Sequence, residues 1–402
     1  MYDAIVVGAR CAGSPLAMLL ARQGHRVLVL DRTALPADTV STHYLQQYGL
    51  SRLQRWGLLD EVLATGVTPI TNMTVSFGDA AIDGFAGPID GITSTIAPRR
   101  TALDPILLDA AEAAGAEVRL GFTVTELVFS DGRVVGVRGR EADGREVEER
   151  ATVVVGADGR GSLVADAVGA GTYKTVPAAC FIYYSYFSGM DVQFHSRIGD
   201  REQFGAWPTN DGNTLVAVMR RRDRFGEFRH DVEGNFHEII ATIDPEIAGQ
   251  VRDATQVEGF HGIRYADNFY RVSQGPGWAL VGDAGYHKDP FTGKGISDCF
   301  VHSEMLAGRI HEGLAGERPM ADALAAYQAE RDAESRSGYD FTTMISELEL
   351  TPQLAALVKA VSVDEAATTQ FFTMVGGGIT GEEFFAPENV ARIMSGAAGV
   401  AA

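Results

Sequence analysis

The chain has 402 residues, of which 46% are hydrophobic and 22% charged, so it is long enough to bury a large core in two joined domains. Its formal net charge of −19 argues against a nucleic-acid binder, because such proteins concentrate Lys and Arg at the phosphate contact. The three widely spaced cysteines indicate neither disulfides nor a metal site, and without a basic leader or a long apolar run we expect a cytoplasmic protein with no membrane span.

The chain opens with a predicted strand, helix and strand. Residues 2–8 (YDAIVVG) form a short apolar run that ends in glycine, and residues 14–24 (SPLAMLLARQG) have apolar positions at helical spacing. Residues 25–32 (HRVLVLDR) then give a second buried strand. In such a βαβ unit, the glycines of the first turn become informative about ligand binding.

The first turn, VVGARCAG, carries a dinucleotide-binding pattern with one departure. Gly8 provides the tight turn and Gly13 the close packing of helix on strand, whereas Arg10 stands where a glycine usually lets the ligand approach the backbone. Asp31 ends the second strand, where a carboxylate can accept hydrogen bonds from a ribose, and Arg32 follows it. The pattern predicts a dinucleotide site, with a generic α/β turn as the alternative, and by itself it does not separate FAD from NAD.

Further along, the elements change character. A polar turn and an amphipathic helix are followed by a long helix and by strands joined at Asp-Gly turns, up to VVVGADGRGS near residue 160. Residues 174–270 carry long aromatic strands, with a hairpin expected at Asn210 to Asn213. After Ile296 the pattern is helical. We therefore expect a largely antiparallel second domain inserted between parts of the first.

Two later stretches carry the same strand-glycine signature as the first turn. In VGDAGYHKDPFTGKGISDCF, Gly282 and Asp283 follow a strand, while Gly293 and Gly295 precede a helix that begins near Ile296. Asp283 can bind a sugar-alcohol hydroxyl, and the helix N-terminus can stabilise negative charge on a reduced isoalloxazine ring. An NAD dehydrogenase has no use for this second site, so the ligand we expect is FAD.

The third stretch, GADG, contains Asp158, for which an ordinary turn aspartate is the alternative. Taken in order, the three motifs resemble those of the single-component flavoprotein monooxygenases of the para-hydroxybenzoate hydroxylase type. The wider superfamily includes geranylgeranyl reductases and flavin-dependent halogenases. The resemblance extends from residue 3 to about residue 330.

The resemblance implies an α/β fold with an α+β insert. It predicts a glutathione-reductase-like Rossmann FAD domain, an antiparallel-sheet substrate domain and a helical C-terminus. The expected ranges are 1–70, 97–173 and 271–330 for the discontinuous FAD-binding domain, 71–96 and 174–270 for the substrate-binding β-sheet domain, and 331–402 for the helical C-terminal region.

The family pattern also implies which residues hold the cofactor. The expected FAD-binding residues are Gly8, Arg10, Gly13, Asp31, Arg32, Thr42, Arg99, Arg100, Val124, Asp158, Gly159, Gly282, Asp283, Pro290, Gly293, Gly295, Ile296 and Ser297. The sequence departs from the family at Tyr286, Thr292 and Ser297, where a histidine, a glycine and an asparagine are usual. Because the expected contacts there are made by the backbone, FAD binding should survive these changes.

No catalytic side chain is assigned from the sequence. His43, His287 and Lys294 are candidates for tuning or proton relay, with a structural role as the alternative for each. The expected substrate pocket lies between the second sheet and the flavin, with Tyr184, Phe204 and Trp207 as its candidate residues. The same aromatic side chains are equally compatible with an ordinary sheet core.

The resemblance implies an NAD(P)H-consuming monooxygenase that hydroxylates or epoxidises a small apolar or aromatic substrate through a flavin C4a-hydroperoxide. Its partners would be that substrate and molecular oxygen, and the protein would be a monomer or homodimer without a metal. A geranylgeranyl-reductase-like C=C reductase is the alternative, since FGAWPTNDGNTLVAV resembles a strand of that group. A non-catalytic flavin-binding protein is a third possibility. A halogenase is disfavoured, because this stretch has one tryptophan and residues 60–100 contain no lysine.

Overall fold

The computed structural model describes residues 1–349 and 351–400. The strands are, in chain order, β1 (Tyr2–Val7), β2 (Val27–Asp31), β3 (Met73–Phe77), β4 (Ala80–Gly84), β5 (Glu117–Leu120), β6 (Thr123–Ser130), β7 (Arg133–Arg140), β8 (Glu146–Gly156), β9 (Thr172–Val176), β10 (Cys180–Ser188), β11 (Phe194–Gly199), β12 (Glu202–Pro208), β13 (Asn213–Arg221), β14 (Thr255–Gln256), β15 (His261–Arg264), β16 (Asn268–Arg271), β17 (Gln274–Gly275), β18 (Trp278–Leu280) and β19 (Tyr286–His287). The helices are, in chain order, α1 (Gly13–Arg22), α2 (Gln47–Trp56), α3 (Leu59–Ala64), α4 (Arg100–Ala113), α5 (Leu163–Ala167), α6 (Phe225–Phe228), α7 (Val232–Ile243), α8 (Pro245–Asp253), α9 (Gly295–Leu314), α10 (Met320–Ile345), α11 (Pro352–Val361), α12 (Glu365–Val375), α13 (Gly381–Phe384) and α14 (Pro387–Val400).

The first sheet is the centre of a three-layer unit, with strand order β17-β18-β8-β1-β2-β5. Strand β1 pairs in parallel with β2 and with the second half of β8, as the predicted βαβ unit requires. Successive side chains of a strand face opposite sides. Accordingly, Ala4 and Val6 pack in the core cluster of helices α1, α4 and α9, while Ile5 and Val7 pack against the antiparallel strands β6 and β7.

The second sheet has the order β14-β10-β13-β12-β11-β3-β4 and is antiparallel except where β11 pairs with β3. One face packs on α7 and α8, and the other face packs on the C-terminal helices α11 and α12. The predicted hairpin between β12 and β13 is present, with Asp211 and Gly212 at φ values of 60° and 67°. An Asp-Gly pair adopts this left-handed backbone at little cost, which explains the turn.

A small antiparallel sheet of β9, β16 and β19 lies beside α10. The Arg331 side chain, buried on α10, donates to the carbonyl oxygen of Gly285 (2.8 Å) and to the Tyr173 hydroxyl (2.9 Å), so it joins this sheet to the helix. The predicted mixed α/β fold with a helical C-terminus is confirmed, while the proposed domain boundaries stay predictions. Among the described residues, no helix combines the length and apolar character needed to cross a membrane.

Candidate cofactor cleft and adjoining apolar cavity

A cleft of about 630 Å³ lies at the carboxyl ends of β1, β2, β8 and β18, where parallel sheets usually bind their ligands. The predicted cofactor residues on its wall are Gly8, Arg10, Asp31, Arg32, Thr42, Arg100, Val124, Asp158, Gly159, Gly282, Asp283, Pro290, Gly293, Gly295 and Ile296. The structure places Gly13, Arg99 and Ser297 behind this wall or to one side of it. Motifs that lie far apart in the sequence therefore meet at one site.

The glycines of the first turn are required by the backbone itself. Gly8 has a φ of 108°, and a Cβ there would overlap the carbonyl oxygen of Ala157 in the loop after β8. A Cβ on Gly13 would overlap the carbonyl oxygen of Gly8, so Gly13 packs helix α1 on the strand without forming the cleft wall. Helix α1 has no side-chain N-cap. Its positive end is thus available to an anionic group in the cleft.

The Asp31 carboxylate is held at the edge of the cleft by backbone donors. One of its oxygens accepts from the Ala9 N–H and the other from the Thr33 N–H, both at 2.8 Å. A carboxylate has about four lone-pair sites, so two remain for a ligand. These contacts fix the direction of the side chain and leave it able to accept hydrogen bonds from ribose hydroxyls.

Two arginines share one buried carboxylate at the floor of the cleft. Arg100 donates to both oxygens of Asp104 (2.8 and 3.0 Å), and Arg10 donates to one of them (3.3 Å). Asp104 is fully buried, whereas both arginines reach the cleft wall. Two positive charges against one negative charge leave an excess of positive charge here, which suits a pyrophosphate. Sequence reasoning missed Asp104, although its spacing from Arg100 on α4 is the i, i+4 signal of a helical ion pair.

The neighbouring Arg99 points away from the cleft. Its guanidinium donates to Asp38 (2.7 Å) and to Glu258 (2.8 Å), and it lies 3.9 Å from the ring centroid of Tyr186. Arg99 therefore ties the 33–43 segment, which runs along the cleft, to the second sheet. Of the two arginines offered by the sequence, only Arg100 is placed to meet a ligand in the cleft.

Asp283 faces the cleft from a tight turn that begins at Gly282, whose φ is 63°. Its carboxylate lies 3.4 Å from Nδ1 of His287, and the other ring nitrogen of that histidine is buried with no partner. Partial desolvation by itself raises the pKa of Asp283, whose side chain is 45% exposed, but the hydrogen bond and charge of His287 hold it below its ordinary value. Asp283 thus remains an ionised acceptor, as a site for ligand hydroxyls requires.

The loop before α9 is fixed from behind. Gly293 has a φ of 60°, and a Cβ there would press on the ring of Tyr44 at 3.0 Å. Ser297 accepts a hydrogen bond from the Gln46 N–H (3.0 Å), which explains why it lies behind the wall. Lys294 is 8% exposed and points away from the cleft, and burial lowers its pKa to about 8.

A buried charged cluster on the cleft wall was not found from the sequence. The Lys288 ammonium binds the Asp298 carboxylate and the Tyr286 hydroxyl, and the Tyr48 hydroxyl donates to Asp298 at 2.5 Å. His302 lines the cleft beside them and has one buried nitrogen without a partner. The stretches YHKDP and GISDC carry these residues, but nothing in their spacing indicates that Lys288 and Asp298 form a pair.

Of the two histidine candidates, His287 lines the cleft and His43 does not. His43 is fully buried at a φ of 61°, and its Nε2 lies 2.5 Å from the Tyr186 hydroxyl. Burial and the Arg100 charge lower the pKa of His43 to about 3. At neutral pH His43 is therefore uncharged. In residues 1–349 and 351–400, no three His, Cys, Asp or Glu side chains are arranged to hold a metal ion.

A second, apolar cavity of about 80 Å³ adjoins the cleft between the second sheet and the C-terminal helices. The cleft and the cavity share Thr42, Tyr44, Pro290 and Gly293 on their walls. Trp207 stacks on Phe194 with a centroid distance of 5.5 Å, and its indole N–H donates to the Thr42 carbonyl at 3.1 Å. The apolar cavity therefore adjoins the end of the cleft where Pro290 and Gly293 precede α9.

The predicted pocket residues separate in the structure. Trp207 and Phe204 line the apolar cavity, although the Phe204 side chain also belongs to the core cluster on the opposite face of the sheet. Tyr184 does not line it, because its hydroxyl accepts from the Ser41 N–H (3.1 Å) beside the 33–43 segment. Helix α12 contributes Phe371 and Phe372, which sequence reasoning left unassigned.

Comparison with known proteins places this site in a family. A family described as "FAD binding domain" matches residues 1–342. The protein FixC of Salmonella typhi is 38% identical over 176 residues, which are 42% of this chain and only 39% of FixC. Digeranylgeranylglycerophospholipid reductase 2 of Methanopyrus kandleri is 28% identical over 333 residues, covering 79% of this chain and 77% of that protein.

Two solved structures show the same fold at low sequence identity. The myxobacterial chondrochloren halogenase CndH superimposes with a TM-score of 0.79 and 24% identity, covering 98% of this chain and 97% of that chain. PqsL of Pseudomonas aeruginosa, described as a probable FAD-dependent monooxygenase, has a TM-score of 0.72 and 21% identity, covering 93% and 99%. At this level of identity the likeness extends to the fold alone, and the reaction must be argued from the site.

Proposed function

The chain belongs to the FAD binding domain family, and we propose that it is an FAD-dependent oxidoreductase, namely an NAD(P)H-consuming monooxygenase acting on a compact apolar or aromatic compound. The observation that carries the proposal is the apolar cavity that adjoins the end of the cofactor cleft. A flavin supplies the redox chemistry, and the surrounding chain binds, orients and shields the reactants.

The residues of the cleft fit FAD. The open N-terminus of α1 and the Arg10 and Arg100 guanidiniums suit the pyrophosphate, and Asp31 suits the ribose of its adenosine half. Asp283 offers an ionised acceptor for hydroxyls of the ribityl chain. In addition, one carboxylate oxygen of Asp158 is buried without a hydrogen-bond partner on the same wall, as expected of a group that accepts from a bound ligand.

The apolar cavity favours a compact substrate. The cavity volume of about 80 Å³ is about half that of a cavity of about 150 Å³ that binds benzene, so a single ring would extend from the cavity towards the adjoining cleft. Its aromatic and aliphatic walls exclude water from the reacting carbon and provide contacts without charge. Trp207 and Tyr44, which stand edge to face at 6.2 Å, would orient a flat ring at the mouth of the cavity.

Reduction of a C=C bond is the second candidate, and the similarity to digeranylgeranylglycerophospholipid reductase 2 favours it. That similarity covers most of both chains, so it includes the second sheet as well as the cofactor domain. The volume of the apolar cavity weighs against it, because a long polyprenyl chain needs much more room than about 80 Å³. Monooxygenation needs molecular oxygen and reduction of a C=C bond does not, so reactions with and without oxygen distinguish the two candidates.

The test is product analysis with the FAD-loaded protein. NADPH or NADH is supplied together with a single-ring probe, para-ethylphenol or indole, or with geranylgeraniol, under isotopically labelled O2 and under nitrogen. Gain of one labelled oxygen atom by a single-ring probe supports monooxygenation. Gain of two hydrogens by geranylgeraniol under nitrogen would establish the reductase in its place. If no probe increases NAD(P)H oxidation and no product forms, the protein does not act on these compounds and the proposal is wrong.

A further inference from the structure

One glutamine on the wall of the apolar cavity has a side-chain oxygen that accepts no hydrogen bond. Gln203 on β12 is 9% exposed and lines the cavity, and its Oε1 is buried without a hydrogen-bond partner. The other amide atom is engaged, because Nε2 donates to the Ser196 hydroxyl at 2.7 Å. Buried polar atoms are rarely left unsatisfied in folded proteins, so this oxygen requires an explanation.

The neighbouring hydrogen bonds determine which end of the amide is free. The Ser196 hydroxyl donates its single proton to the carbonyl oxygen of Phe204 at 3.2 Å. It can therefore only accept from Gln203, and this role selects the NH2 end of the amide. The carbonyl oxygen of the Gln203 side chain is therefore the buried acceptor that has no partner within the protein.

Gln203 lies at the end of the cavity away from the cleft. Side chains two residues apart on a strand share a face, so Gln203, Gly205 and Trp207 all face inward from β12. The Trp207 ring lies over Gly205, where a Cβ would come within 2.8 Å of it, and its indole N–H binds Thr42 at the mouth of the cavity. Four residues of extended strand separate Gln203 from Trp207 by about 13 Å.

Several other polar groups of the cavity make hydrogen bonds within the protein. Gln46 and Thr292, which stand at the cleft end, are bonded to each other through the Gln46 side-chain amide and the Thr292 carbonyl (2.9 Å). The Thr292 hydroxyl is paired with that of Thr342 at 2.7 Å. The remaining wall is mainly aromatic and aliphatic, so a charged ligand would lose its hydration without gaining a partner.

We propose that Gln203, held in place by Ser196, accepts a hydrogen bond from a hydroxyl or a ring N–H of the substrate. The substrate is then an apolar ring compound with one hydrogen-bond donor, which it directs to the end of the cavity away from the cleft. The apolar ring rests on the proposed function, whereas the recognition of the donor does not. Gln203 is a specificity-determining residue and Ser196 a positioning residue.

The experiment measures binding without turnover, as the change in flavin absorbance when a probe is added to the FAD-loaded protein in the absence of NAD(P)H. Two matched pairs serve as probes: para-ethylphenol with its methyl ether, and indole with N-methylindole. Methylation removes the donor and keeps the ring. The protein is compared with Gln203→Met, which has a similar shape and no acceptor, with Ser196→Ala, and with Gln193→Leu as a control on an exposed loop.

In at least one pair, we expect the parent protein to bind the probe that carries the donor about tenfold more tightly than the methylated probe. A tenfold difference is the effect of one hydrogen bond. Gln203→Met should abolish this preference without weakening the methylated probe. Ser196→Ala should reduce the preference, and Gln193→Leu should retain it. If only one pair shows the preference, the proposal stands and the donor is identified as a hydroxyl or a ring N–H.

Three results would overturn the inference. The first is that no probe binds, and the second is that both members of each pair bind equally well. The third is that Gln203→Met weakens binding of the donor and methylated probes by the same factor, which would reflect packing alone. If Gln203→Met does not retain FAD, Ser196→Ala decides, because an unchanged preference there contradicts the assigned network. A protein that shows the preference but forms no oxygenated product refutes the monooxygenase and leaves donor recognition by Gln203 supported.

Discussion

Replacing Lys294 with Met should remove part of the pH dependence of stability in the alkaline range. Lys294 is 8% exposed, and its ammonium lies 5.8 Å from the ring centroid of Tyr48. Burial lowers its pKa from 10.5 to about 8. The neighbouring Lys288 lowers it further, while Asp298 and Glu334 act in the opposite direction.

The size of the effect follows from the difference between the folded and unfolded pKa values. Between pH 8 and pH 10.5, the unfolded chain holds a proton on Lys294 that the folded protein has released. The free energy of unfolding therefore rises with pH across this window, because the unfolded state binds more protons. A difference of about 2.5 between the two pKa values corresponds to about 3 kcal/mol. Below pH 8 the folded protein bears the full cost of the buried charge.

The assay is urea unfolding of the FAD-loaded protein at intervals from pH 8 to pH 10.5. The parent should gain about 3 kcal/mol relative to Lys294→Met over this range. Lys359→Met, at an exposed position of α11, serves as the control and should follow the parent. Parallel curves for the parent and Lys294→Met would refute the reasoning, since they would mean that Lys294 keeps its proton in the folded protein.

Three further substitutions test the cofactor cleft. Gly13→Ala should lose bound FAD on gel filtration and melt at a lower temperature, because the added Cβ overlaps the Gly8 carbonyl oxygen. Asp283→Asn should bind FAD at least about tenfold more weakly in a fluorescence titration, because charge-assisted hydrogen bonds to the ligand are replaced by weaker ones. Arg99→Gln should retain FAD but speed hydrogen exchange in the 33–43 segment, because the bond to Asp38 is lost.

The controls for these variants separate local from general damage. Gly308→Ala lies in the middle of α9 with open space around the added carbon, so it should retain FAD and gain a few tenths to 1 kcal/mol of stability. FAD retention by Gly13→Ala equal to that of Gly308→Ala would contradict the packing argument. Unchanged FAD affinity in Asp283→Asn would remove that residue from the site. If Arg99→Gln lost FAD, the 33–43 segment that Arg99 holds would be needed for cofactor retention, and the expectation that FAD is retained would be wrong.

The parts of the cleft that the sequence predicts are those whose conformation is decided locally. A β-branched strand followed by Gly8, and a strand that ends in Asp31, specify the turn and the carboxylate position within a few residues. The roles of the neighbouring Arg99 and Arg100 could not be predicted in this way. Which of them meets the ligand depends on an acidic partner one helical turn later. Arg100 is held by Asp104, and Arg99 is drawn away by acidic side chains from other segments.

The apolar cavity could not be predicted in the same way. Its walls come from β3, from β11 to β13 and from helices α10 and α12, which are brought together only by the completed fold. Phe371 and Phe372 appear in the sequence as ordinary apolar positions of a helix, and the pairing of Lys288 with Asp298 has no local signature. A long-range contact of this kind leaves no periodicity that a reader of the sequence can detect.

This separation bears on how one fold supports different reactions. The residues that fit FAD lie on the first sheet and on the loops at its edge, whereas the second sheet and the C-terminal helices form the cavity where a substrate would bind. Substitutions at the cavity can change its size and the unpartnered acceptor at Gln203 without disturbing the pyrophosphate or ribose contacts. Relatives with this fold can therefore share a cofactor site and differ in substrate. For this chain, selectivity should respond to changes at Gln203 and Trp207 more than to any change in the glycine turn.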